Sequence, residues 1–239
     1  MELTTTETTT NVHHLHVPVA NHTLTVIERD ATHDPTTGHA LTGSWLWDSS
    51  LVLASHLATL HHLVNNATVL ELGAGATGLP GVASVACHGA ARCVLTDLGP
   101  LLPCLRLNAL ANGLVPDLQA YVRELRWGEQ LETDLRIDVV LMSDVFYDPG
   151  DMPAMAATLR GVWREDDGGG GTVGWAASES RDGVEECVEV LREEGFEVDE
   201  VDRVTRPLLR DGEQVADFAV FRLRRRQSAA ATAEVDFTL

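Results

Sequence analysis

Hydrophobic positions along the chain follow two different periods. Residues 12–28 alternate apolar with polar twice, through Val12, Leu15, Val17 and Val19 and then Leu24 and Val26, around Ala20-Asn21-His22. Residues two apart share one face of a strand, so a β-hairpin over 12–28 is expected. Asp34-Pro35, Gly38 and Gly43 mark 30–43 as a loop. Beyond Trp45 the period lengthens. Leu53, Leu57, Leu60 and Val64 recur at helical spacing, and Asp48 or Ser49 can cap that helix.

From Thr68 onward short apolar runs alternate with helical ones. Strands are expected at 68–72, 92–97, 119–125, 137–143 and 172–177, with helices at 79–88, 100–111, 151–164 and 182–194. Asn112-Gly113 closes the second of these helices in the manner of a left-handed cap, and the last ends at Gly195. The tetraglycine Gly168–Gly171 reads as a flexible turn. Strands separated by single helices imply a parallel sheet with helices on both faces. The final strands, 196–204 and 215–223, meet at Asp211-Gly212 without a helix between them and should be antiparallel. A length of 239 residues suits one domain, assigned to 12–223. The Thr-rich residues 1–11 read as a disordered tail and 224–239 as a loose one.

Composition narrows the chemistry. No run of about 18 apolar residues suggests a membrane span, and the polar, acidic start lacks the pattern of a signal peptide. The formal net charge is −19, which repels nucleic-acid backbones and attracts basic proteins, although it also serves solubility alone. All 17 basic residues are arginine. The absence of lysine excludes a Walker-type phosphate loop, a Schiff-base enzyme and a kinase-type strand lysine. Cys87, Cys93, Cys104 and Cys187 form no Cys-x-x-Cys pair and read as reduced thiols of an intracellular protein. The ten histidines show no metal-ligand spacing, so no metal is expected.

One segment stands out. Gly73-Ala74-Gly75-Ala76-Thr77-Gly78 follows a strand and opens a helix. Glycines there let backbone approach a ligand, and the helix start offers free N–H groups. Asp97 ends the next strand, where a carboxylate can accept hydrogen bonds from two ribose hydroxyls. Together they indicate an adenosine-containing cofactor. Short-chain nicotinamide enzymes pair Tyr with Lys, which this chain lacks. Glu71, placed to orient the loop and the cationic end of a cofactor, favours S-adenosylmethionine, whose sulfonium suits carboxylates and aromatic faces.

Five blocks in order carry a resemblance: Trp45-Leu46-Trp47-Asp48, Val69-Leu70-Glu71-Leu72-Gly73-Ala74-Gly75, Leu95-Thr96-Asp97, Leu125-Arg126-Trp127-Gly128 and Ser143-Asp144-Val145-Phe146-Tyr147. They resemble the signature blocks of the seven-β-strand methyltransferase-like family, in the branch called lysine methyltransferase family 16. Leu79-Pro80-Gly81 and the segment from Ser143 to Pro149 most resemble its methyltransferase-like 23 subgroup, regarded as arginine-modifying where most of the branch modifies lysine. The one departure is an extra residue, Ala76 or Thr77, before Gly78-Leu79.

The resemblance implies an α/β, Rossmann-like class I methyltransferase sheet of seven strands. It implies an S-adenosylmethionine-dependent enzyme that methylates a lysine or arginine nitrogen of a protein substrate, in the cytoplasm and with a nuclear location also open. A small-molecule methyltransferase and a non-catalytic cofactor binder are the alternatives on the same fold. Trp47, Gly73, Ala74, Gly75, Asp97, Trp127 and Ser143 would line the cofactor, while Asp144 and Tyr147 would act at the acceptor nitrogen. Read alone, Trp127 also suits a core, Tyr147 a surface phenol, Asp144 a cap for helix 151–164, and Arg224-Arg225-Arg226 a strand end or a nuclear signal.

Overall fold

The structure, a computed structural model, describes residues 12–165 and 170–226. The proposed tail 1–11, most of the proposed tail 224–239 and Gly168-Gly169 lie outside the described residues. A two-stranded antiparallel hairpin, β1 (Val12–Val19) and β2 (His22–Arg29), precedes a seven-stranded sheet. That sheet contains β3 (Thr68–Leu72), β4 (Arg92–Asp97), β5 (Ala120–Glu124), β6 (Val139–Ser143), β7 (Val173–Glu179), β8 (Phe196–Pro207) and β9 (Val215–Arg225). Its order is β5-β4-β3-β6-β7-β9-β8. All neighbours are parallel except around β9, which runs against both β7 and β8. This is the class I methyltransferase arrangement, with the N-terminal hairpin beside it.

The central strands are buried on both sides, as parallel strands covered by helices must be. Along β3, Val69 faces one apolar cluster and Leu70 and Leu72 the other. The first cluster takes in α1 (Asp48–His56), α3 (Leu79–Ala86), α4 (Leu102–Ala111) and the hairpin. The second takes in α5 (Met152–Val162) and α6 (Val184–Glu193).

Two asparagines one turn apart, Asn108 of α4 and Asn112 at its C-terminal cap, hold the hairpin. The Asn108 and Asn112 side-chain amides accept from the N–H groups of Ile27 and Thr25 at 2.7 and 2.8 Å and donate to their carbonyls at 2.9 and 2.7 Å. Each amide thus stands in for a residue of a neighbouring strand. Asn108 also donates to the Ala76 carbonyl at 2.8 Å, tying the glycine turn to the same helix.

Three expectations change. The helix expected to run on to Val64 is broken: after α1 comes a 3-10 turn, Leu57–Leu60, and then a single turn, α2 (His61–Val64). Three residues per turn stack the buried Leu57 and Leu60 on one line toward the core. Asp48 does not cap α1. Trp47 holds the cap position without a side-chain bond, while the Asp48 carboxylate accepts the Leu209 N–H at 3.0 Å. Finally, Arg224 and Arg225 belong to β9 rather than to a loose tail, with Arg224 3.2 Å from Glu197 and Arg225 3.3 Å from Glu165.

Candidate functional site

The carboxyl ends of β3, β4 and β6 open into a cavity of about 710 Å³. That volume falls in the range of small-molecule sites, and the position is where open parallel sheets bind ligands. Every site residue named from the sequence lines it except Glu71.

The turn between β3 and α3 forms the floor. Gly73, Gly75 and Gly78 all have positive φ, of 67°, 62° and 56°. At Gly75 space adds to conformation: a Cβ there would stand 2.7 Å from the Gly43 carbonyl oxygen. The turn is pinned from two sides. The Ala76 N–H donates to the Gly43 carbonyl at 2.7 Å, and the Gly75 N–H donates to Asp97 Oδ2 at 2.7 Å. The extra residue is absorbed without opening the turn: Ala76 packs against Leu101 and Cys104, and Thr77 reaches the cavity wall.

Asp97 ends β4. Its second oxygen accepts the Leu98 N–H at 2.7 Å. Burial pushes its carboxyl above the usual range, opposed by those two N–H bonds. Trp127, which lines the same cavity, is half-buried against the second apolar cluster. The adjoining Gly128 N–H donates to Thr158 Oγ1 of α5 at 2.9 Å, and that hydroxyl donates to the Glu129 carbonyl at 3.0 Å. A buried threonine thus sets the angle of the tryptophan loop.

The mouth lies at the end of β6. The Ser143 and Ser50 hydroxyls are 3.0 Å apart, which joins β6 to the start of α1. Asp144 follows, with φ +56° and its N–H donating to the Ala177 carbonyl at 2.8 Å. Its Oδ1 accepts from Ser49 Oγ at 3.3 Å and pairs with Arg181 at 3.0 Å. The Asp144 side chain is only 7% exposed, whereas that of Arg181 is 34% exposed. Tyr147 stands over Trp127, ring centroids 6.1 Å apart, and is 55% exposed. Desolvation, helped by the Asp151, Asp97 and Asp148 charges, pushes its phenol up to about 12. Trp47, also partly exposed, is oriented by its indole N–H, which donates to the Thr42 carbonyl at 3.0 Å.

Glu71 is placed differently from the sequence expectation. It is fully buried between β3 and α3, where Oε2 accepts the Gly81 N–H at 2.7 Å and Oε1 has no partner. Burial raises its carboxyl from 4.5 to about 8, the Gly81 N–H opposing this and the Asp97 charge adding to it. It therefore steadies the helix beneath the turn and presents nothing to the cavity.

A sequence profile for lysine methyltransferases matches residues 32–186, most of the chain. The chain belongs to this lysine methyltransferase family. Among curated members, Protein N-lysine methyltransferase METTL21A of Xenopus tropicalis is 35% identical over 115 residues, covering 48% of this chain and 52% of that protein. Histone-arginine methyltransferase METTL23 of Xenopus laevis is 34% identical over 125 residues, covering 49% and 50%. The matches span about half the length of these relatives. Among solved structures, the ribosomal protein L11 methylase of Lactobacillus delbrueckii subsp. bulgaricus superposes with a TM-score of 0.51 at 16% identity, covering 75% of this chain and 79% of that one, a likeness of fold.

Sequence reasoning missed Gly43 and Arg181. Gly43 sat in a stretch read only as loop, and its one signal was its position just before the tryptophan block. Arg181 lies 37 residues beyond Asp144, and nothing in the local pattern marks it. The family match contains both, but it leaves out the hairpin and the β8–β9 pair.

Proposed function

We propose that this protein transfers a methyl group from S-adenosylmethionine to a side-chain nitrogen, of lysine or arginine, in a protein substrate. The observation that carries the reading is one cavity in which the glycine turn, the Asp97 carboxylate, the Trp127 ring and the Asp144–Tyr147 mouth meet. The donor set suits an adenosine with a cationic tail. Asp97 would take the ribose hydroxyls, Trp127 the adenine face, and the backbone of Gly73, Ala74 and Gly75 the close approach along the floor. Ser143 and Trp47 would border the donor end.

When bound, that cofactor supplies a methyl group on a sulfonium leaving group, so the protein's part is alignment and exclusion of water. An acceptor cation must lose a proton before its nitrogen can attack. Asp144 can attract and orient the cation, but Arg181 already occupies it, so the acceptor must compete with Arg181 or arrive neutral. Tyr147 remains a phenol at neutral pH. It can donate a hydrogen bond and offer its ring, and it cannot take the proton. The proton therefore passes to water at the open mouth. A cytoplasmic setting, with the nucleus also open, accompanies this reading, as does a basic substrate attracted by the acidic surface.

Labelled S-adenosylmethionine incubated with the protein and cell extract should place label in the protein fraction, and mass spectrometry of the product should find it on a side-chain nitrogen. Label confined to small molecules would replace the substrate class. No affinity for S-adenosylhomocysteine by calorimetry would end the proposal.

A further inference from the structure

A second cavity of about 400 Å³ adjoins the first and shares Trp45, Trp47 and Asp144 with it. Glu179 at the end of β7, Phe218 of β9, and Leu208, Arg210 and Asp211 from the β8–β9 turn complete its far wall. The charges around it can be followed one by one. Asp144 is held by Arg181 at 3.0 Å. Asp48 accepts the Leu209 N–H at 3.0 Å and stands 3.5 Å from Arg206. Arg210 pairs at 2.6 Å with the buried Glu28, which also accepts the Leu46 N–H. Two carboxylates are left over. Among the described residues the Glu179 side chain makes no hydrogen bond or ion pair, and the Asp211 carboxylate accepts only the Glu213 N–H, at 3.3 Å.

Unpaired carboxylates beside aromatic and aliphatic walls favour a cation twice over. Apolar surroundings strengthen the Coulomb attraction, and ring faces add their own. A long basic side chain also has a hydrocarbon stem for Leu208 and Phe218. A neutral or acidic group would leave both carboxylates unanswered.

We propose that this second cavity is a subsite for a basic side chain, arginine or lysine, of the same polypeptide whose neighbouring residue is presented at Asp144. The shared wall fixes the relation: successive residues of an extended chain are separated by about 3.3–3.6 Å along its axis, so one segment can reach both cavities. The polypeptide's role as methyl acceptor rests on the reading above. The affinity of the cavity for a basic side chain does not.

The probe is a tri-arginine peptide, blocked at both ends, titrated into the full chain while the tryptophan indole N–H signals are followed by NMR. The Trp45 and Trp47 signals should shift and saturate. In Glu179→Gln/Asp211→Asn the affinity should fall about five- to tenfold, as expected for two partly screened ion pairs. Glu185→Gln/Glu186→Gln on the exposed side of α6 changes net charge equally and should leave the titration unchanged. Equal weakening by both pairs would reduce the effect to the general acidic field and overturn the proposal. So would unchanged affinity in the first pair, or absence of shifts in the wild type. Calorimetry with S-adenosylhomocysteine on the same samples tests the cofactor reading separately: intact cofactor binding with no peptide effect sinks only the subsite.

Discussion

The two cavities share three wall residues and are built on opposite plans. The larger is shaped by backbone: three left-handed glycines, a carbonyl from Gly43, and N–H groups fixed on Asp97. Its fixed points come from within residues 41–181 and fall inside the family match. The smaller is shaped by side chains brought together over long separations, such as the 161 residues between Asp48 and Leu209 and the 182 between Glu28 and Arg210. Apart from Glu179, its far wall lies beyond the family match. A backbone-made site tolerates almost no change, because a Cβ or a lost N–H moves the whole turn. A side-chain-made site can be recharged residue by residue while the sheet beneath it stays the same.

The harshest test of that contrast is Gly75→Ala. The positive φ and the Gly43 oxygen together should cost roughly 2–4 kcal/mol, seen as a lowered melting temperature, with cofactor-product binding lost in calorimetry. Gly113→Ala, at φ +79° with nothing within 4 Å of the added Cβ, should cost only about 1 kcal/mol, separating collision from strain.

Glu71→Gln should change the pH dependence of stability and leave the cavity intact. A carboxyl raised from 4.5 to about 8 in the folded state favours folding least where the unfolded form is ionised. Its contribution is whole below 4.5 and is lost as pH rises toward 8, by up to about 1.4 kcal/mol per pH unit. Denaturation at pH 5 and pH 8 should show that slope in the wild type and lose it in the variant.

Asp97→Asn turns an amide toward two backbone donors. Binding of S-adenosylhomocysteine should weaken about 10- to 100-fold, as for a charge-assisted contact replaced by a mismatched one. The smallest effect is expected at Arg181→Ala. Freeing Asp144 should lower KM for a basic acceptor a few-fold with kcat and cofactor affinity little changed. A fall in kcat instead would make Arg181 a positioning residue.

How much of this was legible beforehand follows the same division. The glycine turn and Asp97 could be read because their residue types are forced by local backbone and by spacing along adjacent strands. The alternating elements from Thr68 onward were legible because short apolar runs mark the buried strands and helical spacing marks the apolar faces between them. Glu71 was misread because β3 is buried on both sides, so periodicity does not tell which surface its carboxylate meets. Asp48 has the residue type of a helix cap, and only the distant β8–β9 turn turns it aside. Arg181 is an ordinary arginine until the sheet brings the ends of β6 and β7 together. Contacts of that kind follow from topology, and no window along the chain contains them.

Asp144 carries one further implication in its left-handed backbone. Most side chains are strained there, whereas asparagine and glycine are tolerated. A saturation library at this position, sorted for folded protein, should therefore return glycine and asparagine beside aspartate. Sorted for turnover, it should return aspartate alone, and the gap between those two lists isolates what the carboxylate does from what the chain's shape demands.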